Sequence, residues 1–205
     1  MGRDDGAVEV GAVLADEEED DVGDLLGFTD PAAGVERAED VREAARVSGS
    51  QIYHYFDSKQ ALIRAVITRQ ADAEPVPGKP MMGALDSFDA LRAWADAAVE
   101  RQEEVADGSE CTLTSLAAEL SGTDEDSRAD LSHGFLRWQG LLHDSLRAMQ
   151  QRGDLSAGAD LDELALGLLA ALQGGKVLSR TMGSTKPLRA ALNAALSYVR
   201  TYVTA

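Results

Sequence analysis

The 205 residues include nineteen Lys or Arg against thirty-six Asp or Glu, giving a formal net charge of -17, and one cysteine. A single cysteine, Cys111, excludes an intramolecular disulfide framework and any multi-cysteine metal site within the chain. No run approaches the ~18 consecutive apolar residues of a spanning helix, and the first residues form no basic, apolar export signal, so a cytoplasmic protein with no membrane partner is expected.

Residues 1–33 differ from the rest. The run Asp16-Glu17-Glu18-Glu19-Asp20-Asp21 repels itself, which predicts an acidic, partly mobile region in which Val22, Leu25, Leu26 and Phe28 form at most one short docked helix before Asp30-Pro31. From Glu36 to Arg46, Val41, Ala44 and Ala45 give a small apolar face at helical spacing. Ser48-Gly49-Ser50-Gln51 places a serine three residues before a glutamine, the spacing of a reciprocal cap, and opens a helix with Ile52, Tyr53, Tyr55 and Phe56. Asp57-Ser58-Lys59-Gln60 is a second cap pattern, leading a longer helix with Leu62, Ile63, Val66 and Ile67 on its apolar side.

Pro75, Pro77, Gly78 and Pro80 mark a loop. Phe88, Leu91, Ala95 and Ala98 then predict a helix from about Ser87 to Val105, and a short one follows from about Cys111 to Leu120. Thr123-Asp124-Glu125-Asp126 can cap a long helix to Arg152 carrying Leu131, Phe135, Trp138 and Leu142, which Gly153 ends. Asp160-Leu161-Asp162-Glu163 repeats the cap before Leu164, Leu168 and Leu172, one turn apart. Thr185 and Pro187 open the terminal helix, whose stripe is Leu188, Leu192, Ala195 and Val199. No strand alternation competes, so the expected fold is all-α: a helix-turn-helix and connecting helix over 34–70, then a larger helical domain over 81–205.

Leu, Ala and Gly dominate Leu161–Gly175 and Ala190–Leu196. Small side chains permit close approach, so these last two helices are expected to join a homodimer as a four-helix interface; a monomeric core is the alternative.

Acidity opposes DNA binding, because affinity for duplex DNA comes from neutralising phosphates. Positive charge would have to be local, or presented by two copies together. Residues 35–70 are close to neutral, with six Lys or Arg against five Asp or Glu.

The segment from Val41 to Leu62, with its Ala44-Ala45 helix, Val47-Ser48-Gly49 turn, aromatic Tyr53-His54-Tyr55-Phe56 and following Ser58-Lys59, closely resembles the helix-turn-helix of TetR-like repressors. A looser likeness runs from Phe88 to Val203. The resemblance implies a ligand-responsive transcriptional regulator with a double-stranded DNA operator, a small-molecule effector and a homodimer as partners, and no cofactor. It places Ser48, Gly49, Ser50 and Gln51 at the turn and the leading end of the recognition helix. Tyr53 and His54 then face the major groove or its flanks, Tyr55 is within reach of a phosphate, and Lys59 is a phosphate contact. Chemically, Gln51 can pair with adenine and Lys59 can neutralise phosphate. Tyr53, Tyr55 and Phe56 equally suit the core of the small domain.

The stretch before the motif departs from the family pattern. It is acidic, contains Asp30-Pro31, and runs Gly34-Val35-Glu36-Arg37-Ala38-Glu39-Asp40 without a hydroxyl cap.

In the family the larger domain encloses the effector. The corresponding lining here is Phe88, Trp94, Leu113, Leu116, Phe135, Trp138, Met149, Gln173 and Met182, an apolar set with few polar handles that suits a lipophilic or aromatic molecule. Each of these also fits plain core packing. His54, His133 and His143 lie in different predicted surroundings, and His133 and His143 do not share a helix face, so no metal site is expected. Cys111 has no partner at a nucleophile's spacing and reads as a small buried hydrophobe. No nucleophile elbow or phosphate loop appears, so no enzyme is expected. The rival reading is a dimeric ligand-binding or protein-interaction protein of the same fold that has lost operator binding.

Overall fold

Local capping chemistry sets the helix boundaries. The computed structural model describes residues 58–72, 85–104, 113–120 and 125–204. Every regular element among them is a helix: α1 (Lys59–Asp72), α2 (Phe88–Glu104), α3 (Leu113–Leu120), α4 (Glu125–Arg152), α5 (Leu161–Met182) and α6 (Lys186–Arg200). The chain is all-α, as its periodicity predicts. Readings that fall on residues 1–57, including the acidic N-terminal region and the helix-turn-helix itself, and on Cys111 lie outside the described residues.

The chain divides into two compact units that do not follow sequence order: Met1–Asp72 with Ser109–Gly134, and Ala73–Gly108 with Phe135–Ala205. The sequence-based division kept all of 81–205 together, whereas here Ser109–Gly134 groups with the N-terminal part.

In the first unit, Ser58 caps α1 by accepting the Ala61 N–H on its hydroxyl at 3.1 Å. Leu62, Ile63, Val66 and Ile67 are all buried, as their spacing predicts. Gly134 explains how closely α1, α3 and α4 pack. A Cβ added there would lie 2.8 Å from both the Ala71 Cβ and the Leu113 Cδ2, so the absent side chain lets α4 close on the α1 residue Ala71 and on the Leu113 side chain of α3.

In the second unit, α5 begins at Asp160, whose carboxylate accepts the Glu163 N–H at 3.1 Å. Asp162 and Glu163 add negative charge at the positive end of the helix dipole. It ends at Gly183, which is left-handed at φ 57, with the Ser184 N–H returning to the Ser179 carbonyl at 3.1 Å. α4 ends the same way at Gly153, φ 85, where the Asp154 N–H reaches the Met149 carbonyl at 2.9 Å. The tail folds back on this turn: Leu155 and Val203 form an antiparallel bridge, and the Ser156 N–H donates to the Tyr202 carbonyl at 2.8 Å.

The core of this unit comes from four buried stripes. α2 contributes Leu91, Trp94, Ala95, Ala98 and Val99, and α4 contributes Trp138, Leu142, Leu146 and Met149. α5 contributes Leu164, Leu168, Leu169 and Leu172, and α6 contributes Leu188, Leu192, Leu196 and Val199. Ala195, assigned to the α6 stripe from sequence, is only half-buried, and its larger neighbour Leu196 takes the interior position.

Gly175 sets the α5–α6 distance. An added Cβ would fall 2.8 Å from the Leu188 Cα, a backbone atom that cannot swing aside. Gly175→Ala should therefore lower stability by about 1–3 kcal/mol through overpacking, less the ~1 kcal/mol gained in helix propensity. Gly140 on α4 has nothing within 4 Å of such a Cβ, so Gly140→Ala should raise stability by up to about 1 kcal/mol. Urea unfolding of the two variants checks the opposite signs.

Candidate functional site

The DNA-reading residues expected from sequence are Ser48, Gly49, Ser50, Gln51, Tyr53, His54, Tyr55 and Lys59. The first seven lie outside the described residues, and Lys59 opens α1. What the structure does describe is how the helix that follows them is held.

Nearly two turns beyond the cap, Arg64 projects from α1 toward the start of α4. Its guanidinium donates to both carboxylate oxygens of Asp130, at 2.6 and 3.4 Å, and lies 3.7 Å from Asp126. Asp126 and Asp130 are one helical turn apart and present a paired negative edge to the cation. The fork geometry of arginine suits the two-point contact with Asp130. Gly134, one turn further along the same face of α4, is the point of close approach to Ala71, two turns beyond Arg64 on α1. Ion pair and glycine contact together fix both the rotation and the spacing of α1 against α4. Sequence reasoning missed this pair, because the i,i+4 spacing of the acids is visible but a partner 66 residues away is not.

The expected effector-lining residues are distributed as follows. Trp94, Trp138 and Met149 are buried in the second unit, while Phe88, Phe135 and Gln173 are half-buried there. Phe135 meets Trp138 edge to face, with centroids 5.9 Å apart. Phe88 lies within 5.6 Å of the Arg92 guanidinium and 5.4 Å of that of Arg200. Leu113 and Leu116 are fully buried in the first unit. Met182 is 66% exposed, in the last turn of α5.

Trp94 has an unusual polar atom. The side chain is 2% exposed, yet its indole N–H makes no hydrogen bond among the described residues. A buried donor without an acceptor costs about 1–3 kcal/mol, so such groups are rare in folded proteins and call for an explanation.

A second feature is apolar and outward. Leu166, Val177 and Leu178 on α5 are about half exposed, and Met182 more so. Gly167 and Gly174 on the same helix have no heavy atom within 4 Å of an added Cβ. On α6, Tyr198 is 42% exposed and donates its hydroxyl to Glu163 Oε1 at 3.1 Å, with the Tyr202 hydroxyl 3.2 Å away. The hydrogen bonds with Tyr202 and Glu163 hold the Tyr198 phenol neutral to well above its ordinary range.

Among the described residues, no group of His, Cys, Asp and Glu is arranged to hold a metal ion. His143 lies between Asp144 and Asp162, at 3.6 and 3.7 Å. No described helix is long and apolar enough to cross a membrane.

Residues 87–195 match the family profile described as the tetracyclin repressor-like C-terminal domain. Residues 33–66 match that of bacterial regulatory proteins of the tetR family. The chain belongs to the TetR family. Solved structures agree in fold. A regulatory protein TetR from Rhodobacter sphaeroides is 23% identical, with 97% of this chain and 98% of that one covered and a TM-score of 0.71. A TetR transcriptional regulator from Chloroflexus aurantiacus is 20% identical over 98% and 95% of the two chains, with a TM-score of 0.68. The reduced form of E. coli NemR is 20% identical over 100% and 99%, with a TM-score of 0.60. No protein of curated function matches the sequence significantly. TetR membership makes the chain a DNA-binding transcriptional regulator, in a family whose members are not enzymes.

The Arg64–Asp130 pair is partly exposed, at 48% and 22%, so its contribution is modest. A double-mutant cycle of Arg64→Ala and Asp130→Ala, read by urea unfolding, should give a coupling of about 0.5–1 kcal/mol. The coupling should shrink in about 1 M salt, where the screening length falls to about 3 Å. Simple additivity of the two changes would remove the pair as a fixing point of α1.

Proposed function

We propose that this TetR-family chain is a repressor that binds a palindromic operator as a homodimer joined through α5 and α6, and is released by a small lipophilic or aromatic effector. The observation that carries the reading is that one chain joins a match to the family's DNA-reading segment with a match to its C-terminal domain. In this reading Gln51 and His54 read bases, Tyr53 lies at the groove or its flank, and Ser48, Gly49, Ser50, Tyr55 and Lys59 set the turn or hold the phosphate backbone. The effector is held in the second unit, against Trp94, Trp138 and Met149 and the half-buried Phe88, Phe135 and Gln173.

Two recognition helices must sit about one DNA turn, ~34 Å, apart to read a palindrome. An effector releases the operator only by preferring a state with a different spacing.

The outward face of α5 supports the dimer. Leu166, Ala170, Gly174, Val177 and Thr181 recur at helical spacing, all exposed in the single chain. Ala190, Ala194 and Ser197 give α6 a similarly small, exposed row. Four helices packed through such faces bury a contiguous apolar surface that one chain leaves in water. Met182 falls on this outward side and is assigned to the dimer contact instead of the effector lining.

Selection of genomic fragments by the purified protein should enrich a palindromic site. Fluorescence anisotropy on that site should show affinity falling steeply with salt as phosphate counterions are released. No enrichment by folded dimer at low salt would sink the operator reading and leave a ligand-binding or protein-interaction dimer.

Leu178→Glu should raise the dimer dissociation constant by about 100-fold or more, since an unpaired charge would be buried in the interface. Leu136→Glu, at an exposed site on α4, should leave it unchanged. Sedimentation velocity over a concentration series reads both.

A further inference from the structure

We propose that the Trp94 indole N–H is the polar recognition group of the effector site, so that the effector carries an uncharged hydrogen-bond acceptor, a carbonyl or ether oxygen, on an apolar body. This deepens the effector reading above and rests on it.

Three observations in the second unit lead there. The Trp94 side chain is 2% exposed, and its Nε1–H has no acceptor among the described residues. The residues one turn away on α2 are Ala90, Leu91, Ala97 and Ala98, which offer the indole no side-chain oxygen. Among the described residues of this unit the two buried serines bond elsewhere, and neither accepts the indole N–H: Ser145 donates to the Leu141 carbonyl at 2.9 Å, and Ser179 accepts the Leu188 N–H at 3.1 Å. Phenylalanine would supply an apolar ring without a desolvated donor, so tryptophan at this position carries the added cost of an unpaired N–H.

The chemistry of the missing partner follows from the donor. Indole Nε1–H only donates, so its partner must accept. An uncharged oxygen meets that need without bringing an anion into apolar surroundings. A ligand that satisfies the donor is favoured over a matching hydrocarbon, which would leave it unpaired.

The test uses the full-length dimer labelled with 15N at the indole nitrogens, and two matched probe pairs of different size: acetophenone against cumene, and 2-acetylnaphthalene against 2-isopropylnaphthalene. Trp94 and Trp138 are the only tryptophans, so Trp94→Phe assigns both resonances by removing one. In at least one pair the ketone should bind about tenfold tighter than its hydrocarbon and move the Trp94 indole proton downfield, leaving that of Trp138 nearly still. Trp94→Phe should abolish the preference while keeping hydrocarbon affinity, which shows that the variant's interior is intact, and Trp138→Phe should retain the preference. Equal affinities in both pairs, absence of ketone binding, or a preference that survives Trp94→Phe would each overturn the proposal. Because no DNA is present, the outcome is separable from the regulatory reading. A ketone that binds through Trp94 but leaves operator affinity unchanged would count against effector-driven release alone.

Discussion

The packing of α5 on α6 at Gly175 and Leu188 is the contact on which the second unit depends. With no Cβ at Gly175, the two helix backbones approach until the glycine faces the Leu188 Cα, and the Ser179 hydroxyl, one turn on, accepts the Leu188 N–H at 3.1 Å. That bond satisfies one of the orphan donors in the first turn of α6, a role that Thr185 leaves open by turning its hydroxyl to Glu103 instead. Once the helices are this close, their inner stripes interdigitate and both outer faces are fixed in rotation. The small residues of the outer faces therefore stand in register with the core contact, and a change at Gly175 reaches the exposed faces of both helices as well as the interior.

Helix limits were legible in the sequence because they are set by neighbours along the chain. Asp160 with Glu163 three residues on, Ser58 before Ala61, and Gly153 in a left-handed turn are short-range chemistry, and each acts as its pattern predicts. Which face of a helix turns inward was legible only where the other face is polar. In α5, leucine lies on both sides: Leu164, Leu168 and Leu172 are buried, while Leu166 and Leu178 are exposed. Composition cannot separate a core stripe from an interface stripe in such a helix, and Met182, grouped from sequence with the interior aromatics, lies on the outward side for that reason. Contacts between distant residues, such as Arg64 with Asp130 or the tail at Thr204 with Asp154, leave no local mark at all.

Trp94 illustrates a related limit. Periodicity identified α2 and its buried side, and the aromatic was visible as a candidate for the interior. What periodicity cannot reveal is whether an indole N–H finds an acceptor once buried, since that depends on which side chains other helices bring to it. What distinguishes Trp94 from the buried alanines and leucines around it is therefore an unmet hydrogen bond among the described residues.

The net charge of -17 is less of an obstacle to DNA binding than it first seems once it is located along the chain. Residues 33–66, which match the family's DNA-reading segment, hold five Lys or Arg and five Asp or Glu, so the entire acidic excess falls elsewhere. At physiological ionic strength the screening length is about 8 Å, so acids further than that from a phosphate contact are felt weakly. Affinity then depends on the few cations and helix N-termini that touch phosphates, while the acidic remainder penalises long-range, nonspecific attraction more than close contact. Phosphate contacts form at any sequence, so discrimination between sites rests on base readout and not on the charge balance.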